Sequence, residues 1–142
     1  MRYVFVFALA VWLGGCASPA LTSIADVDPT GWGRGQSVSV SYANSDTTAL
    51  YDLTLVVGYD SSVPCDAVNI RVTTLTPDSL TLTESVRVYF DRGNLDNRRY
   101  FEARAPYRTG VRFRRKGEYR FSFAPEAPLH GIKSVGFKFE KR

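Results

Sequence analysis

The chain has 142 residues, 44% hydrophobic and 23% charged, with a formal net charge of +4. That length holds one domain rather than two, and the composition excludes a disordered or low-complexity chain. One histidine and two cysteines leave almost no ligands for zinc, iron or copper, so no metal or other cofactor is expected.

The N-terminus reads as an address. Met1-Arg2 supplies a positive charge, residues 3–13 are an apolar run, and Leu13-Gly14-Gly15-Cys16 follows. A charged start, a short apolar core and small residues at the cut describe a secretory leader, and the run is too short for a membrane-spanning helix. The cysteine placed directly after Leu-Gly-Gly resembles a bacterial lipoprotein signal. That resemblance implies cleavage before Cys16, lipidation of its thiol and acylation of the new amine. The expected division is a leader over residues 1–15, a lipid-anchored tether over 16–30 and a folded domain over 31–142. Ala17 stands where an aspartate would suggest retention at the inner membrane, and no acidic export cluster follows Cys16. The expected address is the outer membrane, facing the periplasm. Cys65 is then the only free thiol; with His130 its only candidate base, a structural role is favoured over catalysis.

From residue 36 the pattern is that of strands. Residues 36–42 alternate serine with Val38, Val40 and Tyr42, giving one wet and one buried face. Tyr51, Leu53, Leu55, Val57 and Tyr59 share a face of the next strand, and Ile70, Val72 and Thr74 of the one after. Thr76-Pro77-Asp78-Ser79 has turn chemistry. Leu80, Leu82, Val86, Val88 and Phe90 keep one parity, interrupted by Glu84. An unpaired carboxylate facing a core is costly, so a bulge, bend or exposed end is expected near residues 83–85. Residues 95–104 allow a short helix ended by Pro106. Two clear strands close the chain, carrying Tyr119, Phe121 and Phe123, then Val135, Phe137 and Phe139. Short strands joined by turns predict an all-β fold, an antiparallel β-sandwich of immunoglobulin-like or jelly-roll-like type.

The last third carries the most specific run: Gly117-Glu118-Tyr119, then Leu129-His130-Gly131-Ile132, then Val135-Gly136-Phe137. Together with Gly31-Trp32, Tyr51-Asp52-Leu53, Pro64 and Pro77-Asp78-Ser79-Leu80, it resembles the gliding-motility lipoproteins of the GldH type from Bacteroidetes. The chain departs from that pattern twice: Gly58-Tyr59 stands near where the family has an arginine after the Tyr51 strand, and Phe90-Asp91-Arg92-Gly93 near its mid-chain Gly-x-Trp element, without the tryptophan. The resemblance implies an outer-membrane lipoprotein that supports the gliding apparatus and type 9 secretion. It implies no catalytic residues. Gly117, Tyr119, Leu129, Gly131, Ile132 and Gly136 read as determinants of the fold.

Charge is lopsided. Residues 16–86 carry two basic and eight acidic side chains, a net of −6, whereas residues 87–142 carry fifteen and six, a net of +9. The densest basic stretch runs from Arg98 to Arg120. Either it pairs with the acidic half of the same domain, or Arg112, Arg114, Arg115 and Lys116 dock an acidic protein or an anionic lipid or glycan. An exported, acylated protein has no use for nucleic acid. Gly31-Trp32-Gly33-Arg34-Gly35 precedes a strand, not the helix a phosphate loop needs, and reads as a turn with a buried Trp32. No Gly-x-Ser-x-Gly elbow accompanies His130, so no enzyme is expected. The partners expected are the membrane, through Cys16, and other envelope or motility proteins. The alternative is a periplasmic glycan- or lipid-binding module, for which exposed rings among Tyr42, Tyr59, Tyr89, Tyr100 and Tyr107 would be the sign.

Overall fold

A computed structural model describes residues 20–91 and 100–142. The leader, Cys16, the first residues of the expected tether, and Arg98 and Arg99 lie outside them. The described chain forms eight strands: β1 (Ala20–Asp26), β2 (Val38–Asn44), β3 (Leu50–Tyr59), β4 (Ala67–Leu75), β5 (Thr81–Tyr89), β6 (Phe101–Arg112), β7 (Gly117–Pro125) and β8 (Ile132–Lys141). They build two antiparallel four-stranded sheets, ordered β1-β8-β3-β6 and β2-β7-β4-β5. The fold is the all-β sandwich that the alternation predicts.

The inward residues of both sheets fill the space between them. Phe121, Phe123, Phe137, Phe139, Leu55, Ile70 and Val72 are fully or almost fully buried, each side chain contributing about 1.5–3 kcal/mol. The rings meet at edge-to-face and stacked angles: Phe121 crosses Phe137 at 88°, and Tyr42 stacks on Phe139 with centroids 4.8 Å apart. The serines of β2 face water, where Ser39 Oγ lies 2.8 Å from Ser122 Oγ on β7.

Two sequence-based expectations change and a third is narrowed. Residues 20–26 of the expected tether form β1, an edge strand laddered on β8 from Ala20 opposite Glu140 to Asp26 opposite Ser134. Its residues do not alternate, because an edge strand is held by its backbone ladder; Leu21 and Ile24 remain exposed. Gly136 opposite Ile24 lets the two backbones approach, since a Cβ there would overlap the Ser23 carbonyl oxygen. The expected helix over 95–104 gives way, in its described part, to β6. Pro106 is tolerated within this strand because β6 is an edge. Of the alternatives expected near Glu84 the bulge is absent, since β4 and β5 pair in continuous register with Val72 opposite Glu84, and the exposed end is present, with Thr81, Leu82 and Thr83 open to solvent. The carboxylate is satisfied by partners, the Tyr107 hydroxyl at 2.5 Å and the Arg108 guanidinium.

One end of the sandwich collects the start of β1, the β2–β3, β4–β5 and β6–β7 connections, and the C-terminus. The opposite end is closed by the Trp32 turn. Trp32 is buried and exchanges backbone hydrogen bonds of 2.7 and 2.9 Å with Leu129, while its Nε1 donates to the Gln36 carbonyl. Gly131 packs there at φ +80°, where a Cβ would stand 2.6–2.7 Å from Ser62 Oγ, Asp60 Oδ1 and Val63 N. Leu129, Gly131, Ile132 and Gly136 are thus used by packing and backbone approach.

Candidate functional site

The end at which β1 begins is the basic end. There β6 bulges twice against β3, between Tyr51 and Leu53 and between Leu53 and Thr54. Gly110 (φ +65°) sits in the first bulge, and its N–H donates to Asp52 Oδ1 at 2.9 Å. Tyr107 occupies the second, between Arg108 opposite Leu53 and Pro106 opposite Thr54, and packs on Phe137 with centroids 4.9 Å apart. The following connection is pinned from below. Asn44 Nδ2 donates to the carbonyls of Phe113 and Arg115 at 3.1 and 2.9 Å, and the Tyr119 hydroxyl bonds both the N–H and the carbonyl of Arg115 at 3.2 Å. With its backbone fixed and Phe113 in the core, Arg112, Arg114, Arg115 and Lys116 are left exposed around it.

The pairing reading of the basic stretch holds for part of it. The acidic half of the chain supplies partners to Arg108 (Glu84), Arg115 (Asp78, 2.9 Å), Lys141 (Asp46, 3.6 Å) and Arg142 (Asp52, 2.9 Å). Asp46 is pulled down to about 2, first by hydrogen bonds from Thr48 and then, more weakly, by Lys141. Asp78 is lowered chiefly by the Thr76 hydroxyl, with a smaller contribution from Arg115. With these four carboxylates taken, Arg112, Arg114 and Lys116 have no carboxylate within 4.0 Å among the described residues. Of the four residues expected to dock a partner, Arg115 is tied to Asp78 and the other three are surplus positive charge.

Beside them the sheets part. The inward series of β5 runs from buried Phe90 and Val88, through half-buried Val86 and Glu84, to Leu82 and Leu80, which are 52% and 64% exposed. Between these leucines and the end of β6 opens a cleft of about 400 Å³. Leu53, Phe113, Tyr119 and Phe121 line its apolar interior, and Arg112 and Arg114 border it. The sequence alone did not reveal this cleft. Its only trace there was Glu84, a carboxylate in an apolar series, which marks where the series leaves the core.

The remaining candidates do not converge. Cys65 is half-buried beside Pro64, Asn69 and Glu126, and His130 is exposed. Tyr59 belongs to the core and half-buried Tyr42 packs against it. Tyr89 is 69% exposed on β5 of one sheet, and Tyr100 is 47% exposed where the chain enters β6 of the other. No group of three or more histidine, cysteine or acidic side chains among the described residues is placed to hold a metal ion. No helix among them is long and apolar enough to cross a membrane. Comparison with protein-family models and with curated proteins gave no match.

Proposed function

We propose that this protein is an outer-membrane lipoprotein, anchored through Cys16 and facing the periplasm, that supports the gliding-motility and type 9 secretion machinery as a non-catalytic component. The anchoring part rests on the Leu13-Gly14-Gly15-Cys16 signal, and the fold sets what such an anchor would hold to the membrane. Ala20 opens β1 opposite Glu140, at the end that also carries Arg112, Arg114 and Lys116. Four residues of chain from Cys16 reach at most about 14 Å at full extension. An acyl anchor on Cys16 therefore holds the basic end against the membrane, where surplus arginine and lysine meet anionic headgroups. The motility part rests on the sequence resemblance of residues 117–137 and the landmarks before them.

The test is fractionation and capture. A C-terminally tagged chain is expected in the outer-membrane fraction and, after gentle solubilisation, to bring down other motility or secretion lipoproteins. The Cys16→Ala form is expected to lose both. A soluble wild-type protein ends the anchoring proposal, and capture of none of these lipoproteins ends the assembly role. The exposed leucines at the cleft favour a second reading, a lipid-binding module, on which the next inference builds.

A further inference from the structure

We infer that the cleft between β5 and β6 binds a long-chain fatty acid, its hydrocarbon chain among Leu82, Val111, Phe113 and Phe121 and its carboxylate on Arg112 and Arg114. Leu80 and Leu82 have the parity of core residues yet remain more than half exposed, so the fold builds an apolar face there and leaves it uncovered. At about 400 Å³ the cleft is at the small end of ligand sites, a size for one chain rather than two. Its charge selects the head group. Asp78 on the wall is engaged by Thr76 and Arg115, and Glu84 at the inner edge by Tyr107 and Arg108. Arg112 and Arg114 border the apolar lining with no carboxylate of the described chain upon them. Guanidinium groups favour a carboxylate through charge-assisted, often bidentate hydrogen bonds. Burying methylenes drives the chain inward, about fourfold in affinity for each one covered. This inference does not depend on acylation at Cys16 or on a motility role.

The test uses the full chain in phosphatidylcholine vesicles with a palmitic acid analogue carrying a mid-chain diazirine, followed by mapping of the cross-linked peptides. Cross-links are expected within residues 78–82 and 107–115. Palmitate should compete at least tenfold better than methyl palmitate, which keeps the chain and lacks the charge. Arg112→Gln with Arg114→Gln should erase that preference while leaving the chain-dependent labelling. Leu82→Glu should cut labelling about tenfold, with thermal unfolding of the same variant measured alongside to show that the fold is kept. Three results would each overturn the inference: cross-links spread over other surfaces, equal competition by the methyl ester, or labelling indifferent to Leu82→Glu.

Discussion

The Tyr107 hydroxyl donates to a Glu84 carboxylate oxygen at 2.5 Å and so joins β6 of one sheet to β5 of the other at the cleft's inner edge. Burial, reinforced by the carboxylate, raises the Tyr107 phenol to about 12. The neutral phenol is the form the fold favours. Its contribution is complete below the unfolded value near 10 and is lost as pH rises through 12. Burial raises Tyr42 as well, so the two act in the same direction. Wild-type stability is expected to fall between pH 10 and 12, and Tyr107→Phe to flatten part of that fall. At neutral pH the same variant should cost about 1 kcal/mol, because Glu84 keeps Arg108 but loses a donor. Denaturant unfolding followed by the fluorescence of buried Trp32 measures both effects.

Asn44 holds the Phe113 and Arg115 carbonyls with one amide group. Asn44→Ala is expected to cost about 1–3 kcal/mol and to speed amide hydrogen exchange over residues 113–116. Asn44→Asp should cost more, since a carboxylate has no N–H for either carbonyl and would itself be buried. If alanine and aspartate prove equal, the amide donor is not what fixes the connection.

Gly136→Ala should release β1 selectively. The three atoms nearest the added Cβ are all β1 backbone: the carbonyl oxygen and carbon of Ser23 and the Ile24 Cα, the last at 2.7 Å. Protease sensitivity and hydrogen exchange are expected to rise over residues 21–26 while Trp32 fluorescence keeps its native form. Detachment of β1 would also lengthen the reach from Cys16, so the variant separates anchoring from the distance at which the domain is held.

Asp46 tests the acid limb. Its carboxyl is lowered to about 2, first by the Thr48 hydroxyl and amide. A depressed carboxylate stabilises the fold above its unfolded value and ceases to do so as pH falls from about 4 through 2. Asp46→Asn is expected to lower the neutral-pH unfolding temperature slightly and to reduce its dependence on pH across that window. The β2–β3 connection should respond more than the core.

The sandwich was legible because alternation is a local property. Val38, Val40 and Tyr42 against serines, or Phe121 and Phe123 against Arg120 and Ser122, fix a wet and a dry face whichever strand lies alongside. Buried Trp32 and the glycines of the C-terminal run were legible for a similar reason, since few other residues tolerate those positions. β1 was not, because an edge strand draws on the partner's backbone and needs no apolar period of its own. β6 was obscured by two bulges, which break parity at Tyr107 and Gly110. The sequence by itself determined the fold class, the surplus of positive charge in the C-terminal half and the cysteine offered for an anchor. Only the tertiary structure decided which of those charges are spent on Glu84, Asp78, Asp46 and Asp52. It also placed Arg112 and Arg114 beside an uncovered apolar cleft, because pairing and burial depend on residues far apart in the chain.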